Sequence, residues 1–459
     1  MSANIAVLGG GLAGLSAARQ LAREGHRPVV FESRRRLGGR ASSFDDVQSG
    51  LQLDNCQHVL MGCCTHLLDF YQAIGVQDAI EWHDQTWWLR PGGMDVLSAS
   101  FLPAPLHMSS AFASMRLLGW RSKRRIAEAM WNILRIGIDG RSQFAEWTFG
   151  SLLEQWGQDH TSRSLFWDPI IISACNLSTD DVAAVHGLQV MQEGFLAGPD
   201  HARMGGPKIP LGALYEPTSS VIERAGGEIR LGQAVTGLHV QDGQVTAVMT
   251  RDGRFDCDAV ISALPWERLN AIVEDHHQAS DRRLRHLSRL GHSPILGIHF
   301  QVPRPILDVP HLVLPGHDVQ WLFNKGIDEH GAQRLHAVIS AANEWMGASE
   351  EEIVGVVQDA VDVLCGGGVQ CQHVRPVKER RATFCATPEA EAHRPAAAPG
   401  PHDLGGLILA GDWCATGWPA TMEGAVRSGN AAAAVVTGCF DEIGSLPPGR
   451  LVRLLARGA

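Results

Sequence analysis

The sequence predicts an α/β fold in which one domain is built from separated segments and an α+β domain is inserted between them. Three stretches of the chain carry this prediction. Residues 5–32 read as a strand, a glycine-rich turn, a helix and a second strand. Residues 206–264 read as a helix followed by short alternating strands, and residues 407–435 read as a strand, a loop and an alanine-rich helix. Because these stretches lie far apart in the chain, the domain that they form must be discontinuous.

The N-terminal stretch has the pattern of a Rossmann-like, dinucleotide-binding unit. An apolar run, Ile5–Leu8, leads into three spaced glycines, Gly9, Gly11 and Gly14. In this pattern the first glycine permits a tight turn, the second lets the backbone approach a pyrophosphate, and the third lets helix and strand pack closely. The helix is expected to begin at Leu12 and Ala13, where free N–H groups and the positive end of the helix dipole favour phosphate.

The residues after the second strand indicate which dinucleotide binds. Glu32 lies 18 positions after Gly14 and is placed to accept hydrogen bonds from the adenosine ribose. A second glycine turn follows, and it contains Gly39, Arg40 and Ala41. A guanidinium and backbone N–H groups at such a turn suit a diphosphate. Since two-domain flavoproteins commonly use this second turn, the pattern predicts FAD as the cofactor.

The C-terminal stretch predicts a second set of cofactor contacts. Gly411 and Asp412 end a strand, and we expect Asp412 to bond the ribityl chain or a water on the diphosphate side. The next helix is expected to start where small residues follow Pro419, and its free N–H groups would face the flavin ring. The residues expected to contact the flavin there are Thr421, Met422 and Ala425.

The middle block supplies further pieces of the same domain. A helix over 211–224, a strand at Glu228–Leu231 and a hairpin turning at Asp242-Gly243 precede a buried strand near residue 260. We therefore predict an FAD-binding domain made of residues 1–82, 201–265 and 376–459. The remaining residues, 83–200 and 266–375, are predicted to form the substrate-binding domain.

Composition narrows the class of protein. A net charge of −10 gives no support for nucleic-acid binding. The first strand begins by Ile5, which leaves no room for a secretory signal, and no apolar run reaches the ~18–20 residues of a spanning helix. We expect a cytoplasmic protein, soluble or peripheral to the inner face of the membrane. Cys56, Cys63 and Cys64 lack the paired spacing of a zinc site, so no metal is predicted.

Over essentially its whole length the chain resembles the amine oxidase and carotenoid desaturase superfamily of FAD proteins. Within it, the segments 53–65, 379–388 and 411–421 are similar to hydroxysqualene dehydroxylases, also called squalene-associated FAD-dependent desaturases. The resemblance implies an amine oxidase-like fold and places Val235 on the adenine side of the cofactor. Cys414 and Trp418 depart from the pattern, because similar proteins often carry smaller residues there.

The resemblance also implies a reaction, the reductive removal of an allylic hydroxyl from hydroxysqualene to give squalene in hopanoid and isoprenoid synthesis. Hydride from reduced flavin would reach an allylic cation, while the protein protonates the leaving hydroxyl and excludes water. His58 and Asp54 are the candidate acids, and a nearby carboxylate is expected to raise the pKa of His58. The alternative is that His58 is a packed side chain that bonds flavin or backbone. A C30 isoprenoid substrate requires a long apolar tunnel.

Two other functions are compatible with the same sequence. The first is a carotenoid- or phytoene-type desaturase or isomerase, and the second is a non-enzymatic prenyl-lipid binding protein. The cationic, tryptophan-containing stretch at 112–138 is either a membrane-contacting segment or an ordinary amphipathic helix of the substrate domain. Association with upstream enzymes of squalene synthesis is a further expectation.

Overall fold

The fold is seen in a computed structural model that describes residues 2–47, 49–439 and 443–456. In chain order its strands are β1 (Asn4–Leu8), β2 (Arg27–Glu32), β3 (Ser43–Asp45), β4 (Gln52–Asp54), β5 (Leu60–Met61), β6 (Ile80–His83), β7 (Gln85–Arg90), β8 (Gly93–Ser98), β9 (Met204–Pro207), β10 (Glu228–Leu231), β11 (Val235–Gln241), β12 (Gln244–Thr250), β13 (Gly253–Asp256), β14 (Ala259–Ser262), β15 (Ser293–Val302), β16 (His311–Val313), β17 (Trp321–Ile327), β18 (Gln333–Ser340), β19 (Gln372–Thr383) and β20 (Leu407–Leu409).

The α-helices are α1 (Leu12–Arg23), α2 (Thr65–Ala73), α3 (Ser109–Ser114), α4 (Trp120–Ile136), α5 (Phe149–Gln155), α6 (His160–Ser162), α7 (Asp168–Cys175), α8 (Ala184–Gln189), α9 (Pro199–Ala202), α10 (Leu211–Tyr215), α11 (Pro217–Arg224), α12 (Trp266–Asn270), α13 (Asp275–Ser280), α14 (Glu350–Cys365), α15 (Pro388–His393), α16 (Met422–Thr437) and α17 (Arg450–Leu455). Short 3₁₀ turns occupy Gln77–Ala79, Leu106–Met108, Asp139–Phe144, Leu287–Leu290 and Glu344–Met346. Two π-helical turns, Arg163–Trp167 and Val190–Leu196, adjoin α7 and α8.

A five-stranded parallel sheet forms the first layer, with strand order β10-β2-β1-β14-β20. Its strands come from the N-terminal, middle and C-terminal stretches of the chain. The predicted α/β fold with a discontinuous Rossmann-like domain is therefore confirmed. Helices α1 and α16 pack together on one face, and the antiparallel strands β11, β12 and β13 cover the other, where Phe31 meets Phe255 with ring centroids 5.4 Å apart.

A seven-stranded mixed sheet, ordered β19-β15-β18-β17-β16-β7-β8, forms the second layer. Leu296, Ile298 and Val357 belong to the apolar core between one face of this sheet and α14. The predicted domain boundary at residue 376 falls inside β19, which pairs with β15 along its length. Because a paired strand belongs with its sheet, this boundary is corrected to the end of β19.

Two predicted helices are each divided. The expected helix over 211–224 is α10 and α11, since Pro217 has no N–H to continue a hydrogen-bonded helix and instead starts α11. The amphipathic stretch at 112–138 is α3 followed by α4, which begins after the N-cap Gly119. Among the described residues, no helix is both long and apolar enough to cross a membrane.

Gly14 provides a direct test of how α1 packs. A methyl group added at Gly14 would lie 2.0 Å from the carbonyl oxygen of Gly9. We expect Gly14→Ala to lower the free energy of unfolding by roughly 1–3 kcal/mol, because the overpacked turn must shift. Gly355→Ala in α14 is the matched control, since nothing lies within 4 Å of the added methyl there. Chemical denaturation of both variants measures the difference, and equal effects would contradict this packing.

Candidate active site

One cavity of about 1470 Å³ joins the end of the parallel sheet to the seven-stranded sheet. Glu32 and Val235 line it at the parallel sheet, whereas Trp88, Ile170 and Phe195 line it at the inserted domain. Ligand cavities in proteins usually measure about 300–1,000 Å³. The volume therefore suits a dinucleotide together with a second large ligand.

The glycine-rich turn forms the first wall of the cavity. Gly9 has a φ of +105°, which favours glycine, and its N–H donates to the Phe31 carbonyl at 2.8 Å. Leu12 and Ala13 line the cavity at the start of α1, where no side chain caps the free N–H groups. Gly14 does not line the cavity; it packs against Gly9 and holds the helix on the turn.

Glu32 is buried at the end of β2 and lines the same wall. One of its carboxylate oxygens accepts from the Gly10 N–H at 2.8 Å, and the other accepts from the Arg34 N–H at 2.7 Å. The oxygen that accepts from Arg34 also accepts from the Ser33 hydroxyl at 3.2 Å, whereas the oxygen that accepts from Gly10 has a further lone pair. Glu32 is thus held in place and still able to accept hydrogen bonds from a ribose.

The second glycine turn docks on the first. The Gly38 N–H donates to the Gly10 carbonyl at 2.9 Å, and Gly39, Arg40 and Ala41 line the cavity. Arg40 pairs with Asp412, which also lines the cavity, and donates to the Ala382 carbonyl at 2.8 Å. Burial disfavours the charge on Arg40, but the Asp412 carboxylate outweighs it and raises the pKa of the guanidinium.

The C-terminal motif lines the same cavity, with Asp412 against Arg40 of the second turn. Gly411 has a φ of +142°, and a methyl group there would lie 2.3 Å from the Trp413 indole nitrogen, so this position requires glycine. Thr421 accepts from the Gly424 N–H at 3.0 Å and caps α16. Thr421, Met422 and Ala425 all line the cavity, as does Gly411.

His58 also lines the cavity, and its Nδ1 lies 3.0 Å from the Cys56 carbonyl. A carbonyl can only accept, so Nδ1 carries a proton and the neutral ring leaves Nε2 as an acceptor. Burial lowers the pKa of His58, and the smaller effect of the Asp54 charge does not reverse this. The nearby carboxylate of Asp54 thus acts in the predicted direction, but the net shift of the His58 pKa is downward because burial is the larger effect.

Asp54 does not line the cavity, in contrast to what the sequence suggests for a candidate acid. Its Oδ1 accepts from the Ser43 hydroxyl at 2.7 Å and from the Leu211 N–H at 3.0 Å. The carboxylate thus anchors the start of the 53–65 segment to β3 and α10. This position corrects the expected role of Asp54, because a carboxyl group outside the cavity wall cannot protonate a ligand directly.

Glu423 is a cavity residue that the sequence reasoning missed. It is buried, accepts from the Leu67 N–H at 2.8 Å and from the His66 N–H at 3.2 Å, and pairs with Arg427 at 2.6 Å. Burial raises the pKa of Glu423, and Arg427 opposes this shift. The carboxylate ties the start of α2 to α16. The sequence offered one signal for this residue, since Glu423 is an acid in the first turn of the predicted C-terminal helix.

An apolar tunnel was expected from the sequence, but the residues that line the apolar part of the cavity were not predicted. Residues on alternate positions of the seven-stranded sheet form one side of it: Ile295, Trp321, Phe323, Val338 and Ser340. Residues of α7, α8 and the adjoining π-helical turn form another side: Ile170, Ser173, Ala174, Gln189, Val190, Glu193 and Phe195. Neither set has a sequence motif, because the tertiary packing of the inserted domain brings these residues together.

The residues present fit FAD. Two glycine turns face each other so closely that a methyl group on Gly39 would lie 3.1 Å from the Gly11 Cα. The wall around them offers uncapped N–H groups, a cation and a buried acid, which are the groups that a diphosphate and a ribose require. Together with the large apolar extension, these features define a dinucleotide-dependent oxidoreductase.

Comparison with known families gives the particular class. The family described as flavin-containing amine oxidoreductase matches residues 12–437. The chain belongs to this family, and it is an FAD-dependent oxidoreductase. The predicted superfamily, fold and cofactor are confirmed, and the non-enzymatic lipid-binding alternative is not retained.

Individual relatives cover nearly the whole chain. A hydroxysqualene dehydroxylase of Sinorhizobium fredii is 29% identical over 94% of this chain and 98% of its own length. A 15-cis-phytoene desaturase of Synechococcus elongatus is 24% identical over 97% of this chain and 98% of its own length. The solved structure of an oxidoreductase from Methanosarcina mazei matches with a TM-score of 0.70 and 19% identity, covering 93% of this chain and 98% of that one. The last similarity supports the fold alone.

Proposed function

We propose that this protein converts hydroxysqualene to squalene by reductive dehydroxylation. The observation that carries the proposal is the single cavity, in which a dinucleotide-binding end continues into an apolar part walled by large side chains. A C30 isoprenoid has almost no polar surface and requires such a wall. The 29% identity to a hydroxysqualene dehydroxylase supports the same reaction.

We assign each part of FAD to the residues that the sequence predicts to bind it. Glu32 would bind the adenosine ribose and Val235 would lie beside the adenine. The diphosphate would lie between the first glycine turn and the second, held by Gly9, Gly11, Leu12, Ala13, Gly39, Arg40 and Ala41. The ribityl chain and ring would contact Gly411, Asp412, Thr421, Met422 and Ala425. Gly14 would act indirectly, through the packing of α1.

In the proposed reaction the allylic C–O bond breaks, the hydroxyl leaves as water after gaining a proton, and a C–H bond forms at the same carbon. FAD, when bound and reduced, supplies the hydrogen and electron pair for that bond. The side chains of Trp88, Phe195 and Trp321 would exclude water that could recapture the allylic cation. They would also hold the carbinol carbon in one position.

We assign the substrate hydroxyl to His58, because this side chain lines the cavity and has a free Nε2. When doubly protonated, His58 would donate a hydrogen bond from Nε2 to the hydroxyl oxygen. Only the doubly protonated ring could then donate the proton that the leaving group needs. Since burial lowers the pKa of His58, this form becomes populated only as the pH falls.

The pH dependence of turnover tests this assignment. With the pKa of His58 below its ordinary 6.5, we expect the oxidation of pre-reduced enzyme by hydroxysqualene to accelerate as the pH falls through the region below 6.5. His58→Ala should keep its FAD, lose about a hundredfold in rate and lose the acid-side rise. Stopped-flow absorbance measures all three properties. An unchanged pH profile in His58→Ala would remove His58 from the mechanism.

Product analysis tests the reaction itself. Chemically reduced enzyme, incubated with hydroxysqualene under anaerobic conditions, is expected to yield squalene in gas chromatography–mass spectrometry. The phytoene desaturase relative makes desaturation the second candidate function. Oxidised enzyme incubated with phytoene should therefore be analysed in parallel, and we expect no change in that substrate. Desaturated phytoene without any squalene from hydroxysqualene would reverse the assignment.

We further propose that α4 contacts an anionic membrane from which the isoprenoid is taken. Trp120 is 78% exposed and Trp131 is 50% exposed, and both border a groove of about 640 Å³ with Phe112. The same stretch carries several cations, Arg116, Arg121, Lys123, Arg124, Arg125 and Arg135. Exposed indoles beside cations suit the interface of an anionic bilayer.

Liposome flotation tests the membrane proposal. The Trp120→Ser, Trp131→Ser double variant is expected to bind phosphatidylglycerol vesicles at least about tenfold more weakly than the wild type, since two interfacial side chains are lost. Ile327→Ser on β17 removes a different exposed apolar side chain and serves as the control. The proposal would be contradicted if the wild type, the double variant and the control bound the vesicles equally, or if the wild type did not bind them.

A further inference from the structure

Gln189 is a buried polar side chain at the C-terminal end of α8. It is 4% exposed, and it lines the apolar part of the cavity. Its Oε1 is buried and makes no hydrogen bond with any residue that the structure describes. Buried amides in folded proteins are ordinarily hydrogen-bonded, so this acceptor requires an explanation.

Two other polar side chains of the cavity wall, Asn176 and Ser173, are engaged within the protein, whereas the buried Trp88 Nε1 and Gln57 Oε1, which also line the cavity, have no hydrogen-bond partner among the described residues. Asn176 donates to the Ser293 carbonyl at 3.0 Å and accepts from the Ala341 N–H at 2.7 Å. The Ser173 hydroxyl donates to the Pro169 carbonyl at 2.6 Å and accepts from the Trp321 indole at 2.6 Å. Asn176 and Ser173 stabilise the wall and have little capacity left for a ligand.

Glu193 gives the closest comparison with Gln189. It follows four positions later in the adjoining π-helical turn and also lines the cavity. Its carboxylate is paired with Arg141 at 2.6 Å, so its charge is compensated inside the protein. Gln189 differs from Glu193 in having no such partner. A π-helical turn often marks a functional site, because it changes which side chains face a cavity.

The chemistry of the ligand follows from this arrangement. A hydrocarbon that fills the apolar part would leave the Gln189 amide buried and unpaired, which is unfavourable. An alcohol has one hydrogen to donate, which would satisfy the Gln189 Oε1, while its oxygen stays able to accept from the doubly protonated His58 of the proposed reaction. Sites that are built to bond a hydroxyl discriminate strongly against analogues that lack it.

We propose that Gln189 is the hydroxyl-recognition group of the cavity and selects isoprenoid alcohols over isoprenoid hydrocarbons of the same skeleton. This inference rests on the proposed dehydroxylation and deepens it. Once the hydroxyl has left as water, the hydrocarbon product no longer bonds Gln189. Loss of that contact weakens product binding and favours release.

Ligand binding without turnover tests the proposal. Oxidised, FAD-loaded enzyme is titrated with hydroxysqualene and with squalene, and binding is followed by the fluorescence of Trp88 and Trp321, which line the cavity. We expect the wild type to bind the alcohol at least about tenfold more tightly than the hydrocarbon. Two variants, Gln189→Leu and the similarly sized Gln189→Met, should bind the alcohol more weakly. Their affinities for the alcohol and the hydrocarbon should then lie within about twofold of each other.

Val190→Leu is the matched control, because Val190 lines the same cavity and carries no polar group. It should keep the preference for the alcohol. The proposal would be overturned if both Gln189 variants kept the preference for the alcohol, or if they lost affinity for the alcohol and the hydrocarbon equally. If the preference depends on Gln189 but reduced enzyme does not form squalene, the assignment of the hydroxyl site is supported and the proposed reaction is wrong. If squalene forms and the preference survives, the Gln189 assignment alone fails.

Discussion

Close backbone packing between α1 and α16 holds the N-terminal and C-terminal parts of the cofactor end together. A methyl group added at Gly429 in α16 would lie 2.2 Å from the Ala13 carbonyl in α1. The Ser16 hydroxyl donates to the Asn430 side chain at 2.6 Å, and it also reaches Val426, 410 positions away in the chain. This contact brings the start of the C-terminal helix to the N-terminal glycine turn. The cavity exists because these two distant segments meet.

The cavity combines charged groups with an apolar wall. Both can be buried together because the charged side chains have partners within the protein. Three carboxylates in its lining pair with arginines, Asp412 with Arg40, Glu423 with Arg427 and Glu193 with Arg141, and the buried Glu32 carboxylate accepts backbone N–H hydrogen bonds. Paired charges avoid most of the penalty of leaving water. Among the residues that the structure describes, His58 pairs with no charged side chain in this way, and burial favours its neutral form by lowering its pKa. The apolar part can therefore exclude water without leaving an isolated charge.

The cofactor end was predictable from the sequence because its signals are local. Gly9, Gly11 and Glu32 are related by fixed spacings in one strand–turn–helix–strand unit, and the structure places all three on the cavity wall. The substrate end was not predictable in the same way. Gln189 and Trp321 lie 132 positions apart and meet only through the folding of the inserted domain. The direction of the pKa shift of His58 was also out of reach, because it depends on burial.

The direction of electron transfer distinguishes a reductive dehydroxylase from a desaturase, since the first oxidises reduced flavin with its substrate and the second reduces oxidised flavin. Enzyme whose FAD has been reduced with one equivalent of dithionite is mixed anaerobically with hydroxysqualene, and the flavin spectrum is followed together with the amount of squalene. We predict that the oxidised flavin spectrum returns and that one squalene forms for each flavin reoxidised. A flavin that stays reduced with hydroxysqualene, while oxidised enzyme is bleached by an isoprenoid hydrocarbon, would contradict this prediction.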